Sequence, residues 1–249
     1  MGHSFSKFPP IPVKRPVMFQ NWKHLTFLHW PYKPGDLASL LPNGLELDTY
    51  GGAAWVSLTP FIVEGLRVPF LPALPWISQF PETNVRTYVR GPDGEPGIWF
   101  FTLEADRGLA VIGARLAYAL PYRWADMKVN AGETGVDYRS VRRLHRHSKP
   151  AQMQMSLRMG DSIEPTDLDL FLTARFRLYT VFAGMLAFAQ VEHEPWPLQS
   201  GHILSLKQDL ITNSGLPETE GQPLVHYSPG VHVRVAAPKL IRQARSNGQ

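Results

Sequence analysis

The sequence predicts an α+β domain that is mainly β: a barrel or cone of strands with a few inserted helices and an internal pocket. Three observations lead there. Runs with strand character outnumber helix-like runs along most of the chain. Nothing between residues 16 and 238 reads as a flexible linker or an internal repeat. Hydrophobic residues make up 44% and charged residues 18% of the 249, enough apolar material for one large core. The expected organisation is an extended arm over 1–15, a single domain over 16–238 and a flexible basic tail over 239–249.

The strands can be justified in order. "AAWVSLTPFIV" (53–63) is β-branched and aromatic. "NVRTYVR" (84–90) alternates, with Val85, Thr87 and Val89 on one face and Arg86, Tyr88 and Arg90 on the other. "GIWFFTLEAD" (97–106) is apolar on both faces, as expected of a strand covered on both sides. The turn chemistry of "GPDGEPG" (91–97) joins these two as a hairpin. "AQMQMSLRM" (151–159) places Met153, Met155, Leu157 and Met159 on a core face, and "ARFRLYTVF" (174–182) and "GVHVRVA" (230–236) complete the series.

Helices are fewer. "KPGDLASLLP" (33–42) is a short one that Pro42 ends, and "RGLAVIGARLAYAL" (107–120) is a longer one that stops before Pro121. "PTDLDLFLTA" (165–174) has Thr166 as N-cap and acids in its first turn.

Several function classes are excluded or weakened. With no cysteine, there is no disulfide, thiolate nucleophile or cysteine-bound metal. There is no G-x-S-x-G, P-loop or G-x-G-x-x-G motif, and no cofactor is expected. His145, His147 and His193 lack a third ligand at a recognisable spacing, so no metal is expected. A formal charge of +4 does not by itself call for nucleic acid or membrane. The basic run "RSVRRLHRHSK" (139–149) lacks interleaved base-stacking aromatics and reads as a solvated hairpin; a nucleic-acid module built on it is the weaker alternative. No leader-like or membrane-spanning run is evident, which makes a cytoplasmic protein the default; Met1-Gly2 with Ser6 fits only a loose myristoylation pattern. The prolines at 69, 72 and 75 within "RVPFLPALPWISQFP" suggest a stiff loop packed over the barrel, a lid more readily than a polyproline ligand.

Some residues carry possible chemistry. Arg86 and Tyr88 share a face and would offer a guanidinium and a phenol to a polar ligand head if that face looks inward; outward, they are solvated. Glu104, at the end of the aromatic run, is either an acid–base group or half of an ion pair with Arg86 or Arg115. Arg115 sits inside an otherwise apolar helix, so an acid or a bound anion must face it, and Tyr118 follows on the same helical face.

Taken in order, "FLHWPYKPGDLASLLPNGLELD", "GGAAWVSLTPF", "TNVRTYV", "GIWFFTLEAD", "ARLAYALPY", "LTARFRLY", "HEPWPL" and "SPGVHV" resemble the YqjF-like family of uncharacterised bacterial proteins, similar in fold to acetoacetate decarboxylase. The resemblance spans roughly residues 16 to 238. It implies an acetoacetate decarboxylase-like barrel around an apolar pocket, with a helix leading into the catalytic segment. That enzyme's Schiff-base lysine, activated by desolvation and a second lysine, is itself a standard case of a tuned nucleophile.

Here the two lysine places after Pro121 fall on Tyr122 and Arg123, and neither can form an imine. Arg115 keeps the family's helix arginine, but Leu116 stands where an acid would be. No lysine lies between Lys33 and Lys128, so no shift of alignment restores the chemistry. The resemblance thus implies a pocket wall formed by Arg115, Tyr118, Tyr122 and Arg123, rebuilt without its nucleophile.

The reading is a binding protein for a small apolar or aromatic ligand with an anionic head, held near Arg86, Arg115 and Tyr122. A lysine-independent lyase or isomerase using Glu104 and Arg115 is the alternative. A homo-oligomer is compatible with either.

Overall fold

The computed structural model describes residues 5–75, 78–106, 118–143 and 151–241. Its thirteen described strands belong to one sheet: β1 (Pro16–Tyr32), β2 (Glu46–Leu47), β3 (Ala54–Arg67), β4 (Phe80–Arg90), β5 (Pro96–Ala105), β6 (Tyr122–Ala131), β7 (Gly135–Arg142), β8 (Gln152–Ser162), β9 (Arg177–Phe182), β10 (Met185–His193), β11 (Gln199–Gln208), β12 (Leu224–Ala236) and β13 (Lys239–Leu240). Among the described residues, two short α-helices interrupt them, α1 (Pro34–Ala38) and α2 (Asp167–Thr173).

The sheet closes into a nine-stranded barrel in the order β5-β6-β7-β8-β11-β12-β1-β3-β4. A second ring shares its wall. The N-terminal half of β5 pairs with β9, whereas its C-terminal half pairs with β6, both in parallel. At the other margin, β12 pairs with β11 near Tyr227 and with β10 near Val233. β9 and β10 therefore bridge β5 to β12 a second time, across the opposite face of β12-β1-β3-β4-β5.

This shared wall is covered on both faces, which explains why β5 is apolar throughout rather than alternating. One core packs Leu28, Trp30, Leu58 and Val85 against Tyr138, Met153 and Met155 of β7 and β8. The other, on the far face, contains Tyr88, Phe100, Leu103, Leu178 and Val233. Val85 and Tyr88 have opposite parity on β4 and fall in opposite cores, as a period of two requires.

β1 and β12 kink together where the wall changes curvature. His24 has φ 49° and Gly230 has φ 137°. A Cβ at Gly230 would lie 2.1 Å from the carbonyl oxygen of Trp22, so no larger residue fits there. Gly97 serves a different need: the Tyr179 ring packs over it, where a Cβ would come within 2.6 Å of the ring.

α2 starts with a full capping box. Thr166 accepts from the Asp169 amide, and the Asp169 carboxylate accepts from the Thr166 amide and hydroxyl. The expected N-cap is thus the observed one.

Some expectations meet a different structure. Most of the helix expected over 107–120, including Arg115, lies outside the described residues, as do residues 144–150 of the basic hairpin. In the described part of the proline-rich loop the apolar side chains do not pack down over the barrel: Phe70 is fully exposed at φ 66°, and Val68, Leu71 and Leu74 are exposed too, while Trp76 lies outside the described residues. Residues 239–240, expected in the tail, pair with β10 as β13. Val13 of the N-terminal arm is buried, its amide donating to Glu192. Among the described residues, no helix is long and apolar enough to cross a membrane.

Candidate functional site

Alternation along β4 points Glu82, Asn84, Arg86 and Tyr88 to the face that the second ring covers. The strand remains stable there because the opposite positions, Val85, Thr87 and Val89, bury the other face. Between β4, β5, β9, β10 and the N-terminal half of β1 lies a cavity of about 80 Å³. Its apolar wall includes Ile98, Phe100, Leu103, Leu178, Val191 and Val235, and its polar wall Glu82, Arg86, Tyr118, Tyr122, Arg175, Arg177 and His193. Trp22 and Trp196 also line it, stacked with centroids 6.0 Å apart and planes 11° from parallel.

The three arginines at the cavity differ in one respect. Arg175 is paired with Asp48 at 2.6 Å, and the same carboxylate holds Arg90 at 2.9 Å. Arg177 is paired with Asp93 at 2.6 Å. Arg86 has no carboxylate partner among the described residues, although it is only 7% exposed. Its guanidinium lies 5.3 Å from the Phe27 ring centroid, and its Nε and Nη2 have no hydrogen-bond partner among the described residues. Arg175 also keeps one such open donor, Nη2, while its Nε donates to the Phe171 carbonyl. A buried guanidinium with unmet donors is costly.

Glu82 faces the same space. The Tyr122 hydroxyl donates to its Oε2 at 2.9 Å. Burial pushes the Glu82 carboxyl up to about 7, although the hydrogen bonds from Tyr122 and Asn84 act the other way. Burial, with the adjoining Glu82 charge, likewise holds the Tyr122 phenol well above its ordinary range. Burial raises Tyr118 to about 12, and its hydroxyl donates to the Ala236 carbonyl at 3.3 Å.

His193 Nδ1 lies 2.7 Å from the Glu194 carbonyl, which can only accept, so Nδ1 carries the ring proton. Burial lowers this imidazole to about 4 and keeps it neutral. Behind Arg86 the inner face continues as a buried polar ladder. The Tyr88 hydroxyl donates to the Leu172 carbonyl at 2.8 Å and lies 3.1 Å from His29 Nδ1, while His226 Nε2 meets Asp169 at 2.8 Å. Burial alone would raise the Asp169 carboxyl, but its bonds to His226 and Thr166 prevail and bring it to about 2.

The residues singled out by sequence therefore separate. Arg86, Tyr118 and Tyr122 converge on the cavity. Tyr88 shares their face but lies deeper, wholly buried, with its hydroxyl engaged. Glu104 points through the opposite face of β5, beside Thr102, and its ion pair is with Arg142 at 2.5 Å rather than with Arg86 or Arg115. Arg123 pairs in register with Glu104 along the backbone, yet its side chain is exposed on the outside of β6. Arg115 lies outside the described residues. No lysine lines the cavity among the described residues, and none of their His, Asp and Glu side chains group in threes to hold a metal.

Sequence reasoning missed Glu82, Arg175 and the pocket position of His193. Glu82 could have been found by extending the alternation of 84–90 two residues back, across Pro81-Glu82. For Arg175 and His193 no local signal separates them from surface residues.

Comparison with known proteins bears on the family and the fold. Residues 19–232 match the model of DUF2071, described as an uncharacterised conserved protein. The uncharacterised protein YqjF of Bacillus subtilis strain 168 is 39% identical over 213 residues, 85% of this chain and 87% of that one. Among solved structures, the enduracididine biosynthesis enzyme MppR, complexed with the condensation product of pyruvate and imidazole 4-carboxaldehyde, superposes with a TM-score of 0.65 at 15% identity, covering 92% of this chain and 90% of its own. Acetoacetate decarboxylase from Legionella pneumophila gives 0.63 at 15% identity, covering 94% and 92%. At such identities the likeness establishes the fold alone: an acetoacetate decarboxylase-like barrel. From the match over residues 19–232 and the identity to the Bacillus relative, the chain belongs to the YqjF-like DUF2071 family of uncharacterised conserved proteins.

Proposed function

We propose that the protein binds a compact monocarboxylate in the cavity of the second ring, with the carboxylate on Arg86. The observation that carries this is the buried Arg86 guanidinium, which has no carboxylate partner among the described residues and whose Nε and Nη2, a fork that matches two carboxylate oxygens, have no hydrogen-bond partner among them. The remainder of the ligand would lie against Phe100, Leu103 and the Trp22–Trp196 stack.

Volume limits the ligand's size. A water needs ~10–15 Å³ of such space, so 80 Å³ equals roughly five to eight waters. That suits a ligand of about six heavy atoms, such as pyruvate, better than a large aromatic. One solved structure of MppR is a complex with pyruvate, which makes pyruvate a natural first probe.

The other readings have less support. An acid–base role for Glu104 is disfavoured because Arg142 and Thr102 occupy both its oxygens on the opposite face. A nucleic-acid role for 139–149 is weakened because Arg142 is committed to Glu104, and Arg143 stacks 4.4 Å over Trp124.

The test is a thermal-shift titration with pyruvate, 2-oxobutyrate and acetate, using inorganic phosphate as an oxyanion control, on the wild type and Arg86→Met. A ligand specific to the native state must raise the melting temperature with concentration. The expected outcome is a carboxylate-dependent rise that Arg86→Met loses. An equal rise in the variant, or none with any carboxylate, would refute the reading.

A further inference from the structure

We propose that this cavity catalyses reversible enolisation of a small 2-oxo carboxylate without any covalent enzyme intermediate, with Glu82 as the base and Arg175 as the enolate-stabilising donor. The inference rests on the carboxylate-binding reading of Arg86 and extends it to chemistry.

Arg86, Arg175 and Glu82 line the same cavity, and among the described residues no ion pair joins them. Arg86 has two open donors, Nε and Nη2. Arg175 has one, Nη2, its other nitrogens being held by Asp48 and the Phe171 carbonyl. Glu82 lies on β4, two alternations from Arg86 on the same strand face, and its Oε2 is fixed by the Tyr122 hydroxyl. A 2-oxo acid presents three oxygens to match: two on the carboxylate and one on the adjacent carbonyl. With the carboxylate on Arg86, the carbonyl oxygen is the remaining acceptor and Arg175 Nη2 the remaining donor. The proposal puts C3 beside Glu82, which lines the same cavity.

The step balances without a co-reactant. The C3–H bond breaks and its proton goes to the Glu82 carboxylate. The electron pair forms the C2=C3 double bond, and the carbonyl π pair moves onto oxygen, where Arg175 holds the enolate through its N–H. Reversal returns a proton to C3; exchange of the Glu82 proton with solvent resets the site. No imine is needed, which fits a cavity whose described lining contains no lysine. Arg175 is held rigidly, its guanidinium 4.3 Å from the Phe171 ring, so its open donor is preorganised rather than recruited.

The experiment measures loss of the pyruvate methyl signal by proton NMR in D₂O, with pyruvate binding followed separately by thermal shift. Borohydride trapping and mass spectrometry test for an imine. The account expects methyl exchange above the buffer rate, no borohydride adduct, and a drop of about 100-fold or more in Glu82→Gln, which still binds pyruvate. Glu82→Asp should restore part of the rate, separating a base from a mere packing role. Pyruvate binding without exchange above buffer would overturn the enolisation proposal and leave the binding reading standing. Absence of both binding and exchange would overturn both. Exchange that survives in Glu82→Gln, or a trapped adduct, would likewise refute the lysine-free mechanism.

Discussion

The Tyr122 hydroxyl donates a 2.9 Å hydrogen bond to Glu82, joining the first residue of β6 to the inner face of β4 at one end of the cavity. The Tyr122 phenol fixes a carboxyl group that burial has brought to about 7.

That relationship predicts a pH-dependent stability. The Glu82 pKa is raised from 4.5 to about 7 on folding, so between those values the native state holds a proton that the unfolded chain has released. Stability attributable to this group is therefore present below about pH 4.5 and is lost as pH rises through about 7. Glu82→Gln should remove the loss. Urea melts at pH 5 and pH 8 should show the variant gaining on the wild type at the higher pH, by up to roughly 3 kcal/mol. An equal gap at both values would contradict the assignment.

Arg86→Met should leave the fold intact and melt at the same temperature as the wild type or higher. It replaces a buried cation that lacks a carboxylate partner among the described residues by an apolar chain of similar length, and such replacements are often neutral or stabilising. Calorimetric melting in ligand-free buffer checks this. A large destabilisation would mean that Arg86 serves the core instead of a ligand.

Arg142→Ala should behave in the opposite way. It strands the wholly buried Glu104 charge and should cost about 3–5 kcal/mol in denaturant unfolding. Carboxylate binding by the fraction still folded should not change, since Glu104 faces away from the cavity. The exposed Arg123 supplies the companion control: Arg123→Ala should alter stability by less than about 0.5 kcal/mol and leave binding unchanged.

Gly230→Ala should destabilise the barrel by about 2 kcal/mol or more, because a Cβ there meets the Trp22 carbonyl oxygen at 2.1 Å and the backbone has φ 137°. A melting curve of the variant reads this directly; near-neutrality would show that the β1–β12 kink can relax.

Much of the barrel was legible because its signals are local. The alternation of 84–90, the two-sided apolar run of 97–106 and the N-cap at Thr166 with acids behind it are each contained in one short window, and each matches its observed element. β1 escaped notice because its seventeen residues change facing near His24, which breaks the period of two. The forked sheet was out of reach for another reason: which partner β5 takes at each end is decided by contacts between residues about 20 to 80 apart.

The site was legible to a similar degree. Arg86 and Tyr122 stood out, but no window reveals that Arg175 and Arg177 have acids while Arg86 has none among the described residues. Glu104 attracted attention as an acid closing an aromatic strand; the bulge that puts Val85 opposite Thr102 and Arg86 opposite Phe100 leaves it on the Arg142 side. Glu82, hidden behind Pro81, is the carboxylate that lines the cavity.

The most direct test of the central claim is a calorimetric titration of pyruvate into the wild type and into Arg86→Met at pH 7. Saturable binding by the wild type, weakened at least roughly 30-fold in the variant, is the result expected when a buried charge partner of a carboxylate is removed. Binding of equal strength by both proteins, or by neither, would contradict the assignment of the carboxylate site to Arg86.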